Sequence, residues 1–237
     1  MIDNATSPLP PGQRERPDFP RFGLTKFAYR FPDPAAGREI RVTGEVENEL
    51  SVPDPLAGLP RVEEVSDFHC VTTWTRRGLA WGGVRFSDFY RQVVLPRARP
   101  REGATFVILR GLDGARTILL LEDLLAPDVL LADTLDGATL SVEHGAPLRL
   151  VTPAHYGYKS IKHLSRLEFR RDESAFRPSA FRFMDHLRAR VLQHRRLHRA
   201  GGRWRPRGNR AWRDGWTGRT PDHQSSPSRR LPRDRKS

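Results

Sequence analysis

Asp67-Phe68-His69-Cys70-Val71-Thr72-Thr73-Trp74 holds the only cysteine of a 237-residue chain, and the role of that thiol decides what the rest must build. One cysteine closes no internal disulfide and makes no four-thiolate zinc or iron–sulfur site. Three roles stay open: an inert buried side chain, a nucleophile, or the single protein thiolate on a metal cofactor that brings its other ligands. Val62 to Trp74 mixes β-branched and aromatic residues and reads as one or two strands, with Cys70 near the end. On a strand His69 and Cys70 point to opposite faces, which argues against a Cys–His nucleophile pair. His144, His155 and His163 occur elsewhere without protease-type context.

Short apolar runs surround this stretch. Ile40, Val42, Gly44 and Val46 alternate as a half-buried strand does. Phe86 to Leu95 reads as a short helix with Ser87 as its cap and Phe89, Tyr90, Val93 and Val94 at helical spacing. Thr105–Leu109 predicts a buried strand closed by Gly111 and the Asp113-Gly114 turn, and Thr117–Leu120 its partner. Glu122–Leu125 predicts a helical turn. Val129–Ala132, Leu148–Val151 and Arg166–Arg170 read as further strands, and Ser160–Leu164 as the start of a brief helix. Many short strands with few, short helices predict a β-rich α+β fold with mixed sheets.

Charge divides the chain. Of 41 Lys and Arg, 17 lie in residues 178–237 with only 4 of the 28 acidic residues, so the first 177 residues carry 24 of each sign. The net charge of +13 therefore belongs to the tail, which removes the main reason to read the body as nucleic-acid binding. The organisation expected is a proline-rich arm over 1–38, a folded domain over 39–177 and an Arg-rich tail over 178–237. Phe181–Leu197 reads as a helix, and the composition beyond His198 cannot bury enough surface to offset the entropy of ordering. Five prolines before Arg21 suit an extended arm. No apolar run reaches membrane-spanning length, and the first residues lack the basic start and apolar core of an export signal, so the cytoplasm is the expected compartment.

Two further segments carry chemistry. In His144-Gly145-Ala146-Pro147-Leu148-Arg149-Leu150-Val151, one arginine interrupts an apolar run, so it either snorkels to solvent or meets an anion. In Lys159-Ser160-Ile161-Lys162, a serine placed to cap a helix lies between two lysines, a pattern that favours a phosphate at a helix N-terminus. Ordinary surface charge explains either segment taken alone.

Taken together, Phe68–Trp74, Trp81-Gly82-Gly83-Val84, Asp128–Ala132, His144–Arg149 and Tyr156–Lys162 resemble, in order and approximate spacing, the motifs of the molybdopterin-binding domain of the sulfite oxidase family. The resemblance runs from about Glu39 to Phe169. It implies a Mo-molybdopterin cofactor with Cys70 as the protein thiolate on the metal, a soft ligand that suffices because the dithiolene supplies two more sulfurs. Carried over by motif, His144, Arg149, Ser160, Ile161 and Lys162 bind the cofactor, the last three at its phosphate. Lys159 stands where sulfite-oxidising relatives tend to have arginine and is the expected contact to substrate, with Arg76 and Arg110 as looser candidates. Phe22-Gly23 corresponds to a strip that covers the pterin in relatives. The implied chemistry is two-electron oxygen-atom transfer on a small oxyanion or S-oxide, with molybdenum cycling between Mo(VI) and Mo(IV).

The chain also departs from the family pattern. Ala115 follows Leu112-Asp113-Gly114 where relatives often carry an aromatic residue, and Lys162-His163 replaces a frequent Lys-Trp pair. Both weaken sulfite itself as the substrate. No haem-binding segment is visible, so electrons are expected to leave through a separate partner. A second expectation, from a different class, is a nucleic-acid-binding protein with a structural core, acting through Arg203-Trp204-Arg205 and Arg210-Ala211-Trp212-Arg213 by phosphate contact and base stacking.

Overall fold

The computed structural model describes residues 8–21, 30–33, 37–177, 190 and 191. Phe22-Gly23, the helix expected in Phe181–Leu197 and the Arg/Trp pairs of the tail lie outside the described residues. Among the described residues, eleven strands form two sheets.

The first sheet is built on a hairpin, β4 (Arg61–Cys70) and β5 (Trp74–Arg85). β5 also pairs antiparallel with β8 (Leu130–Leu135), which pairs with β10 (Arg149–Val151) and with the two-residue β9 (Ala138–Thr139). The second sheet runs in the order β3 (Leu50–Val52), β2 (Ile40–Gly44), β11 (Leu164–Arg170), β6 (Phe106–Gly111), β7 (Arg116–Leu120). Within it β2 and β11 are parallel, and the other pairings are antiparallel.

The core lies between the sheets. Val84 and Leu131, register partners on the first sheet, meet Val42, Val107, Leu109, Leu167 and Phe169 of the second. Alternation assigns the opposite faces. Trp81, Leu130 and Ala132 form a second cluster behind the first sheet, and Ile108 and Ile118 pack with Phe176 behind the second. Because β8 is covered on both faces, its first four residues are all buried, which explains the unbroken apolar run read in the sequence.

Four local expectations are corrected. The helix predicted from Phe86 continues to Ala98 as α1 (Phe86–Phe89), a π turn (Tyr90–Val94) and α2 (Leu95–Ala98), and it starts after Arg85 with no side-chain cap from Ser87. Trp74–Arg85, visible in sequence only as an end point and a motif, is the longest strand. Residues 160–164 form no helix: a 3-10 turn over Gly157–Lys159 ends at Ser160, His163 adopts φ 54°, and β11 begins at Leu164. The proline-rich arm includes a two-residue strand, β1 (Arg14–Glu15), parallel to Trp74–Thr75. Backbone N–H groups that proline leaves free at Arg14 and Arg16 donate to Thr73 O and Thr75 O at 3.1 and 2.8 Å. The short helix at Leu121–Leu124 (α3) matches the expected turn. No helix among the described residues is long and apolar enough to cross a membrane.

Candidate functional site

Cys70 closes β4 at the turn into β5, 4% exposed, with Sγ 3.1 Å from Thr72 Oγ1. Burial pushes the thiol up, while the Thr72 hydrogen bonds and the Arg16 charge pull it back. The turn is strained at Thr73, a β-branched residue at φ 73°, a conformation that costs about 1–3 kcal/mol and persists only where neighbours enforce it. Here the arm does so, through the Arg14 N–H on Thr73 O. Gln13 adds a second clasp: its Nε2 donates to Cys70 O at 3.1 Å, and its Oε1 accepts from the Thr75 hydroxyl at 3.1 Å. With its proton committed there, Thr75 Oγ1 must accept from His69 Nδ1 at 2.8 Å. His69 is thereby fixed as a partner of Thr75 and not of the thiol, as strand alternation requires.

An aromatic wall continues from this turn. Phe68, on β4, and Trp74 lie 5.8 Å apart, and Phe19 of the arm meets Phe68, Trp74 and Trp81 edge-on at 4.9, 6.3 and 6.0 Å. Phe19 stacks on His144. Gly157 is required beside the wall, because a Cβ there would lie 1.9 Å from Phe68 Cζ. A ring and a backbone meet at a distance only glycine permits.

Arg149 enters from β10 beneath this wall, 2% exposed. Its Cζ sits 4.6 Å from the Trp81 ring and 5.9 Å from Phe68. Its guanidinium donates to His144 O at 2.8 Å and, more weakly, to Ser160 O at 3.4 Å. No carboxylate among the described residues is within ion-pair distance of it. Burial alone pushes the Arg149 pKa down. Lys162 approaches from the adjoining loop, and burial, then Arg149, then Arg21 push its ammonium down to about 8. Gly145, at φ 112°, lets the two cations converge: a Cβ there would press on both Arg149 and Lys162 at 3.1 Å.

The structure thus gathers His144, Arg149, Ser160 and Lys162, with Cys70 on the neighbouring hairpin and joined to them through Phe68, Trp74 and Phe19. Ser160 contributes differently from expectation. With no helix to cap, its Oγ accepts from Thr152 N at 3.1 Å, and its own N–H and that of Ile161 are turned to Gly157 O and Lys159 O. Ile161 is a core residue. Lys159 is drawn elsewhere: fully buried, its ammonium donates to Ile118 O on β7 at 2.8 Å, so in this arrangement it faces the protein and not solvent. Arg110 is held by Glu168 at 2.8 Å on the second sheet.

Sequence reasoning passed over Gln13, Phe19 and Arg21, and it read Trp81 only as part of a motif. A lone aromatic residue between Pro17 and Pro20 was the available signal for Phe19. Parallel pairing of Arg14–Glu15 with β5 left no periodic trace in so short a segment.

The sequence matches the family model of the oxidoreductase molybdopterin binding domain over residues 30–177. It is 34% identical to the uncharacterized oxidoreductase YuiH of Bacillus subtilis over 165 residues, 69% of this chain and 80% of that protein. It is 31% identical to the protein-methionine-sulfoxide reductase catalytic subunit MsrP of Xanthomonas campestris pv. campestris over 147 residues, 55% of this chain but only 44% of that one. The chain thus spans less than half the length of that relative. Among solved structures, the sulfane dehydrogenase SoxCD of Paracoccus pantotrophus aligns with a TM-score of 0.49 at 22% identity, covering 65% of this chain and 41% of that chain.

Proposed function

Because the chain belongs to the oxidoreductase molybdopterin-binding domain family, we propose that it is a molybdenum-cofactor-dependent oxidoreductase with Cys70 as the protein thiolate on the metal. The observation that carries this is the convergence of two cations, buried Arg149 and half-buried Lys162. Arg149 and Lys162, converging beside Gly145 with Arg21 near enough to depress Lys162, form a desolvated positive site in an otherwise neutral body. Clustered guanidinium and ammonium groups attract an anion, and a terminal phosphate dianion matches them. The aromatic cluster of Phe68, Trp74, Trp81 and His144 adjoins it, and a planar heterocycle would take the place that the Phe19 ring fills between Phe68, Trp81 and His144. The residues present fit the group in kind: two converging cations, a set of rings and one soft thiol on the neighbouring hairpin.

When bound, the cofactor supplies two-electron oxygen-atom transfer. The chain's own residues do the rest. Arg149 and Lys162 hold the phosphate; Trp81 fixes the Arg149 guanidinium by stacking; Gln13 and Thr75 fix the backbone that carries Cys70. The substrate is a small oxyanion or S-oxide, a class that includes the sulfoxide named for the MsrP relative. Lys159 is not assigned to it, because its ammonium is committed to Ile118 O. Electrons pass to a separate partner, and the compartment proposed is the cytoplasm.

Metal analysis tests the reading. Protein purified from a host that makes the cofactor is expected to carry close to one molybdenum per chain, and Cys70→Ala to lose most of it. Equal molybdenum in both proteins, or none in the wild type, would count against the assignment.

A further inference from the structure

We propose that Arg190 and Val191, which lie beyond the family domain, dock on it, and that Arg190 clamps the loop carrying Ser160 and Lys162 by sealing a buried Asp123–His155 pair. Asp123, on α3, is 4% exposed and His155 3%, with Oδ2 and Nε2 3.4 Å apart. Both are too deep for water to neutralise them, and each keeps polar atoms that the domain itself does not hydrogen-bond. Arg190 pairs with the other Asp123 oxygen while its own side chain stays half exposed, which places the guanidinium as a cap over the acid. Backbone contacts hold it there: His155 and Arg190 form an antiparallel bridge, and Val191 N–H donates to Ala154 O at 2.9 Å.

Charge balance gives the clamp its sign. The groups facing His155 are Asp123 from α3, Lys159 from its own loop and Arg190 from the docked segment. With Arg190 neutralising the carboxylate, a proton on His155 would leave excess positive charge in a desolvated site, so the imidazole stays neutral. Without Arg190, Asp123 and a protonated His155 would neutralise each other. The same loop is anchored from behind by Lys159 on Ile118 O and by Ser160 Oγ on Thr152 N, and Lys162 follows directly. Arg190 is thus a positioning residue for that loop. The consequence for phosphate binding rests on the function proposed above, whereas the clamp itself does not.

The full-length protein tests it. In the wild type, the Val191 amide is expected to exchange at least about tenfold more slowly than unstructured chain; exchange at the unstructured rate would overturn the docking. In Arg190→Gln the His155 titration midpoint, followed by NMR and assigned with His155→Gln, should rise by about one pH unit or more, and Arg190→Lys should restore it. A midpoint unmoved in folded Arg190→Gln sinks the clamp. Should that variant not fold, Val191 exchange in the wild type decides alone. Faster exchange of the Ile161 amide in Arg190→Gln is the sign that the clamp reaches the phosphate loop, and unchanged exchange there refutes that reach. None of these readouts needs molybdenum, so loss of the cofactor assignment would leave them standing.

Discussion

Phe19 lies flat on His144, ring centroids 4.7 Å apart and planes 4° from parallel. The contact joins a proline-rich arm to the loop that delivers Arg149, across more than a hundred residues of sequence. It makes the arm part of the site wall: the ring fills the space between Phe68, Trp81 and His144, and strand β1 carries the same segment past the Cys70 turn. Two clasps of different chemistry, one aromatic and one of backbone and Gln13 hydrogen bonds, therefore hold the arm against the hairpin that carries Cys70.

Removing the ring should open the arm. In Phe19→Ala the Cys70 thiol is expected to react with a disulfide reagent at least about tenfold faster than in the wild type, which corresponds to ~1.4 kcal/mol less free energy for local opening. The amides of Arg14 and Arg16 should lose exchange protection in parallel. A thiol as slow as in the wild type would show that the arm does not control access.

Gly157 is expected to tolerate no side chain. Its missing Cβ would lie 1.9 Å from Phe68 Cζ, and Phe68 cannot retreat because Phe19 and Trp74 stand behind it. Gly157→Ala should lower stability by about 1–3 kcal/mol, the usual cost of overpacking. Phe68→Leu in the same chain should recover part of that loss, measured as a coupling free energy in urea unfolding. Purely additive effects would place the strain elsewhere.

How far the site was legible in the sequence follows from how local each signal is. Strand alternation at Ile40–Val46 and the apolar runs at Thr105–Leu109 and Val129–Ala132 are written in neighbouring residues, and the sheets follow them. Arg149 was visible because an arginine among leucines is anomalous within four residues. Phe19 was not, because its partners Phe68, Trp81 and His144 come from distant segments and its own neighbours carry no period. The helix expected at Ser160 failed for a related reason: Ser160 Oγ is taken by Thr152 N, a tertiary bond that overrides a local capping preference. Lys159 was expected to contact substrate and is instead fully buried on Ile118 O, a distinction set by a tertiary contact that no neighbouring residue announces.

Lys162 should imprint its environment on the pH dependence of stability. Burial and the positive charges of Arg149 and Arg21 bring its pKa down from 10.5 to about 8. Between those values the unfolded chain binds more protons than the folded one, so this residue's contribution to stability rises with pH. The penalty for enclosing the ammonium is full below about pH 8 and is gone above about pH 10.5. Wild type and Lys162→Met, melted in parallel across that window, should differ most at the acidic end, with the wild type gaining relative to the variant as pH rises. Inorganic phosphate, by neutralising the ammonium, should raise the wild-type melting temperature more at pH 7.5 than at pH 10. A pH-independent difference between the two proteins would mean that the ammonium is not held among like charges.

Arg149 allows the cation's role to be separated from its packing. Arg149→Ala would leave a hole under Trp81 and strip donors from His144 O, so its effects would mix cavity, hydrogen bond and charge. Arg149→Met loses the same donors but keeps most of the volume against Trp81, so charge and hydrogen bonds go without a cavity. Since the guanidinium is 2% exposed without a carboxylate partner among the described residues, its burial is itself costly, and an apolar side chain of similar length is expected to leave stability within about 1.5 kcal/mol of the wild type. Anion binding should respond differently. Phosphate-dependent stabilisation of the folded state, measured as the melting-temperature shift at fixed phosphate concentration, should fall by at least half in Arg149→Met, and molybdenum content should fall with it. Retention of both in a variant of unchanged stability would move the anion site away from Arg149 and leave Lys162 as its centre.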